Sequence, residues 1–274
     1  MSQQRPFILL TNDDGINSPG LLAAVSALND LGELLVAAPS TQQTGMSRSA
    51  PRPDNARVMP ESIQVDGREV TVYAVPGSPA QAVLYAVLFL ARRLPDLVVS
   101  GINYGENVGG STTASGTVGA ALEAALLGVP TLAVSLETTK DYHYRHGPGV
   151  DWGTAVENVR RFATMLLTHE MPFDVDVLNV NIPGDATPDT PWRITRQSRQ
   201  AYYEVFGSGA QGQPQLDHLD YRVTIHWDAL EADSDVSAFA KDRVIAVTPL
   251  SVDLTSRTDL AALEKLLRTP TVGD

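Results

Sequence analysis

The 274-residue sequence contains no cysteine, so disulfides, thiolate zinc sites and cysteine nucleophiles are excluded. Only oxygen and imidazole remain as metal donors. No stretch approaches the roughly 20 uninterrupted apolar residues of a membrane span. The start, Met-Ser-Gln-Gln-Arg-Pro, lacks the apolar core and cleavage site of an export signal, and a cytoplasmic protein is expected. Positive charge is scarce, with 20 Lys and Arg against 32 Asp and Glu for a net charge of −12. A chain without a basic excess is not expected to bind a nucleic-acid duplex or an anionic membrane. An anionic ligand would need a local reversal of the field, from a divalent cation or a helix N-terminus.

Several catalytic signatures are also missing. Gly101, Gly105 and Gly109 recur at four-residue intervals, which matches neither a dinucleotide fingerprint nor a Walker loop. There is no GxSxG elbow and no HExxH pair. Phosphatases that use an aspartyl nucleophile on a Rossmann-like sheet carry two aspartates separated by one residue, whereas Asp13 and Asp14 are adjacent. The histidines, at 143, 146, 169, 218 and 226, read as surface or structural residues, with His143 and His146 the two that could approach a cleft.

What is present alternates between strand and helix. Residues 6–12 read as a buried strand, and Ser18-Pro19-Gly20 opens a helix. Residues 33–38 form a second strand, and the polar stretch 40–55 is a long loop. Asp66-Gly67 marks a hairpin, and Ser78-Pro79 caps a helix expected to run to about Arg93. A strand at 96–101, a helix at 116–127 closed by Gly128 and a strand at 131–136 continue the pattern. Alternation of this kind predicts an α/β fold: a Rossmann-like three-layer domain with a mostly parallel sheet and helices on both faces. Residues 1–138 are taken as the metal- and phosphate-binding core. Residues 139–274 are a smaller part, with a helix at 152–169 and β-rich segments at 175–183, 192–197, 221–227 and 243–249. A last helix lies at about 258–267, and 207–220 reads as a mobile loop or hairpin tip.

Open α/β sheets bind ligands beyond the carboxyl ends of their strands. Three such ends are polar: Thr11-Asn12-Asp13-Asp14-Gly15, the loop 39–49, and Ser100 to Asn107. Adjacent carboxylates leaving a buried strand repel each other unless a cation lies between them. In a regular strand they would point to opposite faces, so Gly15 must turn the chain before both can reach one ion. The pair reads either as a solvated turn or as half of a metal site. Asn103 and the hydroxyls of the 40–49 loop, Thr44 among them, would complete an oxygen-only set suited to Mg²⁺ or Mn²⁺. Ser115-Gly116-Thr117 opens a helix, and is either an ordinary cap or a phosphate cradle.

These residues resemble the SurE survival-protein phosphatases, also called stationary-phase 5′-nucleotidases. The resemblance rests on ILLTNDDGINSPG (8–20), VAAPSTQQTGMSRS (36–49), PGSPAQAV (76–83), PDLVVSGINYGENVG (95–109), SGTVGAALEAALLGVPTLAVS (115–135) and VTPLSVDLT (247–255). It implies one divalent cation per subunit held by Asp13, Asp14, Thr44 and Asn103, with Asp13 and Asp14 catalytic. Asn12, Asn107, Ser115, Gly116 and Thr117 fall where the family contacts phosphate. It further implies hydrolysis of nucleoside 5′- or 3′-monophosphates, in some members of short polyphosphate, and a C-terminal part that forms a homodimer or homotetramer. Two departures stand out. Thr44 replaces the family's usual serine, and Met46 and Arg48 replace small residues and asparagine, so that Arg48 offers a further phosphate contact. The alternative is a noncatalytic nucleotide or divalent-ion binding module, and a structural assembly subunit is a second rival.

Overall fold

A computed structural model describes residues 5–143, 147, 149–207 and 219–269. β1 (Phe7–Thr11) is buried at every position, as an apolar run must be when helices cover both of its faces. Pro19, with its fixed φ, starts α1 (Pro19–Leu28), and β2 (Glu33–Pro39) returns parallel to β1. β3 (Met59–Val65) and β4 (Arg68–Val75) form a hairpin closed by Asp66-Gly67. Both turn residues have positive φ, 51° and 74°, as the favoured two-residue hairpin turn requires.

α2 (Pro79–Tyr85) begins with a reciprocal capping box between Ser78 and Gln81. It ends earlier than the sequence predicts. A wider turn over Ala86–Leu90 follows, and Ala91 is extended. Pro95 disfavours helix in the residue before it, and Arg93 binds both Asp96 and the Arg5 carbonyl, which draws the chain back to the sheet. β5 (Leu97–Tyr104) is buried throughout and runs to Tyr104, past the Gly101 at which the sequence stops it. The Ser115 side chain caps α3 (Gly116–Leu126) by accepting from Val118 N, and β6 (Thr131–Leu136) follows.

The remaining elements are α4 (Gly153–Thr168), β7 (Val177–Ile182), β8 (Trp192–Ile194), β9 (Tyr203–Gly207), β10 (Leu219–Val223), β11 (Ile245–Leu250) and α5 (Leu260–Arg268). β9 and β10 pair as a separate antiparallel ribbon. The tip expected between them, 208–218, lies outside the described residues, as do His146 and His218. Nine strands form one sheet in the order β3-β4-β2-β1-β5-β6-β7-β11-β8. Neighbours from β4 to β7 are parallel, and β11 runs antiparallel to β7.

Successive β1 side chains feed different layers, Ile8 and Leu10 joining α1 and α4, and Leu9 joining α2 and α3. This is the three-layer α/β arrangement. After β1 the chain winds to β2 and β4 on one side, then crosses back to β5 on the other. The loops beyond β1 and β5 therefore diverge and open a crevice at the switch point. Among the described residues no helix is long and apolar enough to cross a membrane.

Close packing of α1 on β5 depends on Gly20, where a Cβ would collide with the Ile102 carbonyl oxygen. Gly20→Ala is expected to lower unfolding stability by about 1–3 kcal/mol in denaturant titration, with the slope unchanged.

Candidate metal and phosphate site

β1 ends at Thr11 and the chain turns at once. The fully buried Asn12 side chain holds the turn, its amide donating to the Gly15 carbonyl at 3.1 Å and its oxygen accepting from Gly15 N at 3.2 Å. Gly15 takes φ +93°, a value that strongly favours glycine. The turn places Asp13 and Asp14 side by side, each only 3% exposed. Asp13 Oδ1 accepts the Thr117 hydroxyl at 2.6 Å at the start of α3, and Thr117 also gives it a backbone N–H. Asp14 accepts from Tyr104 N and from Gln42 Nε2, each at 3.2 Å. One carboxylate leans on α3, the other on β5 and the 40–49 loop.

Burial pushes the Asp13 carboxyl up to about 6 against the opposing pull of Thr117. Asp14 is driven well above the ordinary carboxylate range, first by burial and then by the Asp13 charge. Both acids are held where ionisation is unfavourable without a cation. Glycine at 116 makes the approach to α3 possible, because a Cβ there would lie 2.7 Å from Asp13 Oδ2.

The crevice beyond the strands is a cleft of about 420 Å³ whose wall includes Asp13, Thr44, Asn103, Asn107 and Ser115. The Asn103 amide nitrogen donates to the Tyr104 and Gly105 carbonyls at 3.1 and 2.7 Å, which leaves its carbonyl oxygen as the group to offer a cation. Thr44 is exposed in the loop that faces Asp13. That loop is pinned at several points: Gln43 N donates to the Asp13 carbonyl at 2.7 Å, and Ser47 Oγ to the Thr113 carbonyl at 2.9 Å. Asn12, Asp14, Gly116 and Thr117 are not part of the cleft wall. Of these, Asn12 and Thr117 brace the carboxylates from behind. Arg48, read as a phosphate contact, instead pairs with Glu123 on α3 at 2.8 Å.

Sequence reasoning missed the support of Asn107. Its N–H donates to Asn181 Oδ1 at 2.7 Å, its side chain to Ser135 Oγ at 2.8 Å, and its carbonyl accepts from Asn179 and Asn181 at 2.9 and 3.1 Å. Asparagines at alternate positions of the otherwise apolar β7 were the available signal, because buried amides need partners. His143, one of the two histidines that the sequence allows near a cleft, lines it, and so do Glu106, Tyr203 and Tyr221, which the sequence did not single out.

Among the described residues no three His, Cys, Asp or Glu side chains cluster as a metal site. The candidate set pairs two carboxylates with neutral oxygens, the donor chemistry of a hard divalent ion. Because its folded-state pKa is raised, the Asp13 contribution to stability is present below the ordinary value of 3.8 and is lost as pH rises through about 6, and the raised Asp14 acts in the same direction. For Asp13 the loss is on the order of 3 kcal/mol. Melting curves with Mn²⁺ and with chelator should show a cation-induced rise in Tm that grows between pH 5 and pH 8. A rise independent of pH would contradict this site.

Comparison with known proteins agrees with the geometry. The family profile described as survival protein SurE matches residues 8–204. A protein named 5′-nucleotidase SurE from Thermococcus gammatolerans is 39% identical over 262 residues, covering 95% of each chain. One of the same name from Methanosarcina acetivorans is 36% identical over 275 residues, covering 96% of this chain and 98% of its own. The crystal structure of the SurE protein from Aquifex aeolicus superposes with a TM-score of 0.73 at 31% identity, covering 96% of this chain and all of the other. With its fold and nearly its whole length shared with these proteins, the chain belongs to the SurE survival-protein family.

Proposed function

We propose that the protein is a metal-dependent phosphomonoesterase that hydrolyses nucleoside 5′-monophosphates, and by the family resemblance 3′-monophosphates, to nucleoside and phosphate. The observation that carries this reading is the pair of buried acids at the switch point, beside a helix N-terminus, with Asp13 in the wall of a cleft of nucleotide size. The relatives named 5′-nucleotidase support the substrate class.

Asp13, Asp14, Asn103 and Thr44 would hold one Mg²⁺ or Mn²⁺ per subunit. When bound, such an ion supplies Lewis acidity and neutralises phosphoryl charge. The chain's own residues do the rest. Thr117 fixes Asp13 through Oδ1, so Oδ2 is the oxygen available to orient an attacking water. Ser115 and the N–H groups opening α3 face the phosphoryl oxygens, where fixed donors stabilise developing charge. Asn107, locked by Ser135, Asn179 and Asn181, presents a preset polar edge to the same group. Thr117 is fully buried and acts through Asp13. The exposed leucines of α5, Leu260, Leu263, Leu266 and Leu267, support self-association into a homodimer or homotetramer.

Asp14→Asn should lower phosphate release from nucleoside monophosphates by at least about a hundredfold while the protein stays folded. Chelator should abolish turnover of the wild type. A panel of nucleotides and short polyphosphate, assayed with Mg²⁺, Mn²⁺ and chelator, separates this enzyme from a binding module. Near-normal turnover by Asp14→Asn, or nucleotide binding with no phosphate release, would overturn the assignment. Thr117→Val, which removes the hydroxyl with little change in volume, should reduce kcat by about tenfold or more and leave KM nearly unchanged.

A further inference from the structure

The cleft also contains two buried polar atoms that the reaction does not use. Glu106 is 5% exposed. Its Oε1 accepts two phenol hydroxyls, from Tyr202 at 2.9 Å and Tyr203 at 2.7 Å. Burial, reinforced by the Glu106 charge, holds both phenols well above the ordinary tyrosine range, so both remain donors. Oε2 of the same carboxylate is buried and has no hydrogen-bond partner among the described residues. A carboxylate only accepts hydrogen bonds, and an unsatisfied buried oxygen is costly, so a donor is missing at this point.

His143 repeats the pattern. Its Nδ1 bonds the Tyr221 hydroxyl at 2.7 Å, and its ring lies parallel to the Tyr221 ring at 6° with 6.1 Å between centroids. The ring also meets the Thr138 backbone, and its Nε2 is buried with no hydrogen bond of good geometry among the described residues. The imidazole lies against the chain only because residue 105 is glycine, since a Cβ there would be 2.6 Å from Nε2. Glu106 and His143 line one cleft together with Asp13 and Asn107.

Taking the nucleotidase reading as given, we infer that Glu106 and His143 form a ribose subsite, in which Glu106 Oε2 and His143 Nε2 bind the vicinal 2′- and 3′-hydroxyls of a nucleoside 5′-monophosphate. A phosphate cannot be the missing partner, because it would meet the carboxylate as a like charge. A hydroxyl can donate to Glu106, and it can satisfy the ring nitrogen in either tautomer because it both donates and accepts. Position selects ribose over base. Glu106 is the residue next to Asn107, and consecutive Cα atoms are about 3.8 Å apart, so a phosphate held at Asn107 and Ser115 leaves the sugar beside the carboxylate. The base then extends toward the Tyr203 and Tyr221 rings, which meet edge to face at 5.3 Å, in a setting suited to stacking.

A site built around buried hydrogen-bonding groups rejects ligands that leave those groups unpaired. The test compares kcat/KM of the cation-loaded wild type for adenosine 5′-monophosphate, its 2′-deoxy and 2′,3′-dideoxy analogues, and p-nitrophenyl phosphate. Calorimetry of adenosine and 2′,3′-dideoxyadenosine with metal-free protein adds a readout independent of turnover. The dideoxy compounds should be worse by about tenfold or more in both measurements. In Glu106→Ala, and in Glu106→Gln should the smaller side chain impair folding, the ratio should shrink to within about twofold. Phosphate release from every substrate without hydroxyl discrimination would overturn the ribose subsite and leave the nucleotidase intact. Discrimination in nucleoside binding with no phosphate release from any substrate would do the reverse. Variants that discriminate like the wild type would also overturn the subsite.

Discussion

Two adjacent carboxylates, each 3% exposed, cannot both ionise cheaply without a cation between them, and the neighbouring structure is organised around that constraint. Asn12 and Gly15 turn the chain so that both acids leave β1 together. Gly116 admits Asp13 to the start of α3, where the helix offers it a hydroxyl and an N–H. Tyr104 N and Gln42 hold Asp14 on the other side. These supports come from four separate stretches of chain and meet only because the sheet reverses its winding between β1 and β5. These donors orient the pair, and a hard cation held between the two acids would neutralise their charge.

The rest of the cleft divides by chemistry. Near the aspartates its wall is made of amides, hydroxyls and a helix N-terminus, groups that suit phosphate. It also carries Glu106, His143 and tyrosine rings, the groups proposed above to receive a polar sugar and a flat base. The overall acidity of the chain, with net charge −12, makes this local arrangement necessary, since nothing in the global field attracts a nucleotide. In the proposed function, recognition of the anion would depend on one cation and on backbone dipoles within a few residues of it.

Much of this was legible in the sequence because it is local. Apolar runs gave β1, β5 and β6, and Asp66-Gly67 gave the hairpin. The NDDG string at a strand end located the acids, and the winding order brought Asn103 and Thr44 to the same cleft. What escaped was tertiary. That Thr117 serves Asp13 is a contact across 104 positions of chain. The Asn179 and Asn181 support of Asn107 reaches across more than 70 positions. Glu106 is unremarkable in a glycine-rich loop until Tyr202 and Tyr203 close over it. The early end of α2 reflects Arg93, Asp96 and Pro95 acting together, which helical periodicity does not register. Arg48 shows the opposite failure: a cation close in sequence to the site is turned outward by Glu123.

The Asp13 and Asp14 pair is the proposed seat of the divalent cation. Anomalous diffraction from crystals grown with Mn²⁺ tests it most directly. One strong peak per chain is expected, within about 2.0–2.3 Å of oxygens from both aspartates, with the Asn103 carbonyl oxygen as a further ligand. A peak held by other residues, or an aspartate pair that stays empty at millimolar Mn²⁺, would contradict it.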